Sequence, residues 1–414
     1  MLRATFTLLT GGALAQLVPL LLGPVLARLF SPEAFGLFTA FATIAASVAV
    51  VACARYEYAL PMAHDDAEAA ALLSLALRIW VGVVALSVPL AWVLHAAGRL
   101  AVAWALPLSV AATGLLQLLM MWSNRAEAYG ALAASRFVQY AGAALLQVAL
   151  GWWLWRGSAA GADAAWALVL GPVIAVALAA PLLARTAPAG GWSALWRVQG
   201  HAMRSVARRY RDFPLLNTPH AFLGTLQDAL AVALLVAWSG EAAAGFWGLA
   251  LRYLKAPATL VGSAVSQVLY PRLAAASAAQ ARRMVRQVMA LLGVLAIGLM
   301  AVLLLAGPWL FERVFGSPWR EAGELARALA PYIAAHFVAA PLAVVTMAWR
   351  AQRWAFRLAL VGQVAFIGAL ALGLWRGGLL GGAWAVSAAM VPYFGWYFWR
   401  LARWSQVQAA EAAP

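Results

Sequence analysis

Two cations in an apolar segment, Arg252 and Lys255, are the side chains of this sequence best placed to bind something. They open the stretch from Arg252 to Tyr270, RYLKAPATLVGSAVSQVLY, whose length and composition suit a membrane span. At about 100° per residue, Arg252, Lys255, Thr259, Ser263, Ser266 and Gln267 fall within roughly 60° of the direction of Tyr270, a polar stripe of about five turns. Counted from Ala242, Arg252 stands about 15 Å along the helix, near the middle of a hydrocarbon core of about 30 Å. A charge at that depth costs at least a few kcal/mol unless it faces protein or water, so the stripe is expected to line a water-filled cavity that holds an anion. Plainer roles compete: serines such as Ser263 and Ser266 also serve helix packing, and long cations near helix ends snorkel to the interface. Pro257 could kink the helix and spoil the phase of the stripe.

Other polar groups fall in apolar surroundings. Asp228, after Gln227, is a carboxylate at membrane depth that could neutralise Arg252 or Lys255, or relay a coupling proton. Arg55 lies about 30 Å along the second span from Phe35, at its inner end, where an interfacial anchor is an equal reading; Arg78 is equally ambiguous. Gln16, Gln117, Gln139, Gln147 and Gln363 either face a lumen, ready for hydroxyl-rich ligands, or hydrogen-bond between helices. His220 and His336 could titrate near neutral pH, or simply pack. Cys53 is the single cysteine, so neither an internal disulfide nor a thiolate metal site can form, and no cofactor is expected.

These residues must be positioned by membrane helices. Hydrophobic residues make up 65% of the chain and charged ones 10%, which excludes a soluble globular class. Apolar runs place spans near 7–27, 35–56, 72–94, 100–122, 137–155, 163–184, 214–238, 243–271, 288–310, 328–349, 355–375 and 379–399, about twelve in all. The start, MLRATFTLLTGGALA, has a signal-peptide-like basic end and an A-x-A site at Ala13-Leu14-Ala15, but its apolar run continues to Leu26 and is expected to be the first helix. About eighteen arginines, among them Arg350, fall on the side of the N-terminus, and about seven, among them Arg99, on the other. Both termini are therefore expected in the cytoplasm. The net charge of +15 is thus a topology signal rather than a nucleic-acid footprint.

The expected fold is all-α and polytopic, in two six-helix bundles, 1–184 and 214–414, joined by an amphipathic cytoplasmic linker, 185–213. From Trp192 the linker reads as one helix on the inner membrane surface. Trp192, Leu195, Trp196, Met203, Val206 and Tyr210 share its apolar face, and Arg197, His201, Arg204, Arg208 and Arg211 its basic face. That basic face would rest on anionic lipid or capture an anionic headgroup. A faint repeat, Glu33-Ala-Phe-Gly-Leu-Phe and Glu241-Ala-Ala-Ala-Gly-Phe-Trp-Gly-Leu-Ala, relates the halves. Substrate would then bind between them.

Several patches resemble a known family. They are Thr7-Leu-Leu-Thr-Gly-Gly-Ala-Leu-Ala-Gln16, Leu26-Ala-Arg-Leu-Phe-Ser-Pro-Glu-Ala-Phe-Gly36, Arg55-Tyr-Glu-Tyr-Ala-Leu-Pro61 with Asp65-Asp66, Tyr210-Arg-Asp-Phe-Pro214, and Phe315-Gly-Ser-Pro-Trp-Arg-Glu-Ala-Gly323 leading into Leu329-Ala-Pro331 and Pro341. In that order they resemble the O-antigen and exopolysaccharide repeat-unit flippases of the multidrug/oligosaccharidyl-lipid/polysaccharide (MOP) exporter superfamily.

The resemblance implies a V-shaped, alternating-access exporter of the bacterial inner membrane, not an enzyme. It would move an undecaprenyl-diphosphate-linked glycan from the cytoplasmic to the periplasmic leaflet for lipopolysaccharide or exopolysaccharide synthesis. A polysaccharide polymerase and a chain-length regulator are the implied protein partners, beside membrane lipids. It makes Arg252 and Lys255 the leading diphosphate contacts, with Arg55, Gln267 and Gln16 as further substrate-binding residues of a cationic lumen, and it nominates Arg55 and Glu57. A peptidoglycan lipid-precursor flippase or a cation-coupled drug antiporter of the same superfamily are alternatives. An integral-membrane glycosyl- or acyltransferase, the alternative of another class, would need a clustered His/Asp/Glu site or a large outer loop that the sequence does not show.

Overall fold

The computed structural model describes residues 2–98, 100–156, 162–186, 188, 191–349 and 351–404; Arg99 and Arg350 lie outside them. Every described element is helical. In order they are α1 Leu2–Leu29, α2 Pro32–Ala49, α3 Asp66–Ala96, α4 Leu106–Arg125, α5 Tyr129–Phe137, α6 Ala143–Arg156, α7 Ala162–Ala184, α8 Gly200–Arg209, α9 Thr218–Ala275, α10 Ala278–Phe315, α11 Arg320–Ala348 and α12 Gln352–Ala402.

Among the described residues, nine stretches are long and apolar enough to cross a membrane. Two of them, Phe213–Leu273 with 61 residues and Arg353–Ala402 with 50, exceed one crossing of a core about 30 Å thick. Each breaks at glycine. Gly240 has φ 85° inside α9, and Gly377 and Gly378 have φ −142° and 60° inside α12. Glycine adopts positive φ without steric cost, so α9 and α12 are each two membrane-length limbs. With α1, the described chain carries about twelve crossings, as the sequence implies. The two copies of the faint repeat fall on equivalent features. Glu33 lies in the first turn of α2, and Glu241 follows the Gly240 break to open the second limb of α9.

Caps set several boundaries. The Ser31 hydroxyl accepts from the Ala34 amide at 3.3 Å, and Pro32 takes the first helical position, where its missing N–H costs nothing. Asp65, of the Asp65-Asp66 patch, caps α3 by accepting from the Glu68 amide at 2.7 Å. Ser277 and Gln280 form a capping box that starts α10. That start lies ten residues before the expected span, so Arg282, Arg283 and Arg286 ride on the helix instead of a loop.

The described chain forms two compact units, Met1–Val232 and Ala233–Pro414. In the first, α4 and α2 pack on α7, and α1 packs on α5 and α6. In the second, α11 is the central helix, packed by α10 and α12. The α10–α11 contact closes to backbone distance at Gly307 and Gly323, where a Cβ on Gly323 would meet Pro308 Cα at 2.5 Å. Small residues allow such approach between membrane helices. Gly323→Leu should therefore lower the melting temperature of the detergent-solubilised protein, by about 1–3 kcal/mol of overpacking. An unchanged melt would contradict the close approach.

The linker departs from the expected single surface helix. A 3-10 turn, Trp192–Arg197, is separated from α8 by extended backbone at Val198 and Gln199. The apolar face meets protein rather than lipid: Leu195, Val206 and Tyr210 are buried against α3 and the 3-10 turn Tyr56–Met62. Trp196 alone of that face is largely exposed, at 54%. Polar contacts hold the linker in place. The Ser74 hydroxyl donates to Leu195 O at 2.8 Å, Arg78 donates to Trp196 O at 3.1 Å, and Tyr56 donates to Ala207 O at 3.2 Å. Arg209 pairs with Glu68 at 3.1 Å. Docking wins because a helix of ten residues buries more apolar area on a preformed protein face than at an interface. The basic face, with Arg197, His201, Arg204, Arg208 and Arg211, remains exposed. Val206→Asp should release the linker and speed its cleavage by trypsin at these arginines; cleavage at the parental rate would contradict docking.

Candidate functional site

The second limb of α9 carries the polar stripe, and its faces divide cleanly. Leu254, Ala258, Gly262, Leu269 and Leu273 are buried on its packed side. Gly262 passes Pro341 of α11, and the Ser266 hydroxyl donates to Pro341 O at 3.2 Å. Ser266 thus belongs to the packing, as the plainer reading has it. Thr259, Ser263, Gln267 and Tyr270 lie on the open face. The Thr259 and Ser263 hydroxyls donate back to Lys255 O at 3.1 Å and Leu260 O at 3.0 Å, which leaves their oxygen lone pairs outward. Pro257 and Pro271 sit inside the limb without taking it out of helical backbone, so the phase of the stripe survives.

Arg252 and Lys255, one turn apart at the N-terminal end of that stripe, are both half-buried. Beside them Tyr253 meets Phe315 edge-on, with ring centroids 4.7 Å apart. The Lys255 ammonium lies within electrostatic range of the His336 imidazole on α11. His336 itself is set among rings, 5.9 Å from Tyr332 and 6.3 Å from Phe394, and so packs rather than standing alone. A guanidinium and an ammonium above a run of hydroxyl and amide groups form a surface suited to a phosphate-bearing, hydroxyl-rich ligand.

A second polar cluster forms in the first unit around Arg55. The expected second span to residue 56 is too long: α2 ends at Ala49, and Arg55 caps the 3-10 turn that follows. Ala54 and Arg55 both take left-handed backbone, with φ 47° and 63°. Non-glycine residues hold such angles only where the surroundings enforce them, and often at functional sites. The Arg55 guanidinium lies over the Tyr58 ring at 4.6 Å, and the Tyr58 hydroxyl accepts from Gln117 Nε2 at 3.0 Å. Glu57 is 3% exposed, and its Oε2 has no hydrogen-bond partner. Burial pushes its carboxyl up to about 7, against the opposing pulls of a backbone hydrogen bond and of Arg55. The same burial, with the Glu57 charge, pushes the Cys53 thiol well up and leaves it inert.

The remaining candidates separate. Gln147 is buried and donates to Leu168 O at 2.7 Å, a hydrogen bond between α6 and α7. Gln16 is exposed on α1, and Gln139 and Gln363 are half-buried. Asp228 lies on the first limb of α9, in the first unit, whereas Arg252 and Lys255 belong to the second. Sequence reasoning misses Tyr58, although its spacing of three from Arg55 would place it on the same side of a turn.

Long apolar helices, two of them broken at glycine into paired limbs, make the described chain a polytopic membrane protein by length and composition. Residues 25–324 match the profile of a family described as "Polysaccharide biosynthesis protein", and the chain belongs to this family. Its fold is that of MOP-superfamily transporters. A structure of the lipid II flippase MurJ in an inward closed conformation superposes with a TM-score of 0.70 at 11% identity, covering 97% of this chain and 89% of that one. An inward-facing multidrug resistance MATE family transporter of the MOP superfamily gives 0.61 at 10%, covering 98% and 95%. A point mutant of the Vibrio cholerae MATE transporter VcmN gives 0.57 at 15%, covering 100% and 96%. No curated protein matches in a sequence search.

Proposed function

We propose that this protein is a flippase for lipid-linked oligosaccharide repeat units. It carries an undecaprenyl-diphosphate-linked glycan from the cytoplasmic to the periplasmic leaflet of the bacterial inner membrane and breaks no covalent bond. The translocated unit supplies a polymerase and chain-length regulator that build O-antigen or exopolysaccharide. In this reading both termini are cytoplasmic, as the arginine asymmetry implies.

The observation that carries the reading is the half-buried Arg252–Lys255 pair, at the membrane depth that the sequence implies, in a member of a polysaccharide biosynthesis family. Cations at that depth mark the path of an anionic or polar ligand, and a diphosphate suits both: Arg252 offers a planar two-donor fork, Lys255 a compact charge. Below them Thr259, Ser263 and Gln267 accept from or donate to sugar hydroxyls. Arg55 and Gln16, in the first unit, are the further substrate-binding candidates, and Asp228 is the candidate for an ion pair or for coupling transport to an ion.

Reconstitution tests this. Proteoliposomes loaded in one leaflet with a fluorescent undecaprenyl-diphosphate oligosaccharide should expose it to an outside glycosidase far faster than protein-free vesicles do. Lipid II, the lipid after which the MurJ flippase is described, shares the diphosphate and the prenyl chain, so it is run in parallel. Preferential movement of lipid II would replace the repeat-unit reading with the precursor one.

A further inference from the structure

Outside the polar limb, the second unit has a groove of about 490 Å³ between the two limbs of α12. Leu358, Val361, Ala365 and Tyr393 wall it, and Trp354, Trp396 and Arg357 stand at one end. The limbs run antiparallel there: Trp354 packs on Trp396 and Tyr397, and the Tyr393 hydroxyl donates to Leu358 O at 3.0 Å. That bond satisfies the phenol and leaves the walls apolar. Val361 is 60% exposed, so the groove opens sideways.

The groove has a length and a polarity. From Trp354 to Ala365 the helix rises about 16 Å, close to half of a hydrocarbon core of about 30 Å. The slot is therefore about one leaflet deep. Its charged end lies in an arginine–aromatic girdle of the kind found at membrane–water boundaries. Arg400 lies 6.0 Å from the Trp396 ring and 5.7 Å from Trp404, and Arg403 lies 5.1 Å from Trp399. Arg357 is exposed at this level and joins none of the described ion pairs.

We infer that this groove is a binding site for one anionic phospholipid of the leaflet on the arginine-rich side, with an acyl chain along Val361 and Ala365 and the headgroup phosphate on Arg357. Charge complementarity selects the headgroup, and depth selects the chain. An undecaprenyl chain is much longer than a slot one leaflet deep, so the prenyl tail of the proposed substrate is the poorer occupant. The site is separate from the polar limb of α9 and stands without the transport reading.

The test titrates the full chain, purified in detergent, with fluorescent phosphatidylglycerol and with phosphatidylcholine of identical acyl chains. Phosphatidylglycerol should bind about fivefold more tightly, the contribution of one arginine near a headgroup. Arg357→Gln should erase that preference while leaving phosphatidylcholine binding as it was. Val361→Trp, which fills the slot from an exposed position, should abolish saturable binding of both lipids, and Ala365→Leu provides a second filling variant should the first fail to fold. Equal affinity for the two lipids in the parent protein would overturn the assignment, as would undiminished binding in a folded filling variant. Displacement of phosphatidylglycerol by equimolar undecaprenyl phosphate would also overturn it and give the slot to the substrate chain.

Discussion

Replacing Arg252 and Lys255 together by alanine abolishes surface-polysaccharide export while the protein accumulates in the membrane at the parent's level. Two charge-assisted contacts at about 1.5–3 kcal/mol each amount to at least a hundredfold in affinity for a diphosphate, roughly. Insertion should not suffer, because removing charge from a membrane-depth helix makes the span more favourable, by about 2.5–3.5 kcal/mol per cation at its centre. Immunoblotting of membranes beside gels of surface polysaccharide separates the two effects. Arg252→Lys should retain part of the export, since it keeps the charge and loses the planar fork. Normal export by the double variant would remove both cations from the site.

Glu57→Gln stabilises the protein at alkaline pH and gives no gain in mild acid. The Glu57 carboxyl is pushed up to about 7 by burial, from an ordinary value of 4.5. The folded state therefore holds a proton that the unfolded state releases, and stability falls as pH rises through the window between those two values. Above pH 7 the parent carries the full penalty of a buried carboxylate, on the order of 3 kcal/mol, and the neutral amide avoids it. Melting curves in detergent should show Glu57→Gln more stable than the parent at pH 8 and level with it at pH 4, below both values. A parent whose melting temperature is constant across that range would contradict the buried, half-satisfied carboxyl. If Glu57 also takes part in ion coupling, the same substitution will flatten the pH dependence of transport measured in proteoliposomes.

Crossings are the most legible feature of the sequence, because about twenty apolar residues leave a helix few alternatives in lipid. The stripe from Arg252 to Tyr270 is legible for the same reason: helical phase is local, and Thr259, Ser263 and Gln267 fall on the open face as their spacing requires. Ser266 shows where phase stops informing. It differs from Gln267 by one position, and the neighbour that claims it, Pro341, is distant in sequence. The linker misleads for a related reason. Leu195, Met203, Val206 and Tyr210 read as an apolar face, but periodicity does not distinguish lipid from protein as its cover, and the extended backbone at Val198 is invisible to it. Periodicity also misplaces Arg55, because nothing in Val50-Val-Ala-Cys-Ala forbids helix; the left-handed pair Ala54 and Arg55 is imposed by tertiary packing. Asp228 marks the remaining gap, since a carboxylate at membrane depth announces a role without naming its partner.

Translocation of a lipid-linked repeat unit is the step on which the proposed function turns. Its most direct test is deletion of the gene in its host, with radiolabelled sugar followed into the undecaprenyl-linked pool and the surface polysaccharide. Completed single repeat units should accumulate on the inner leaflet while surface polymer disappears, and the accumulated glycan then identifies the substrate. A lipid-linked pool and a surface polymer both unchanged by the deletion would contradict the proposed function.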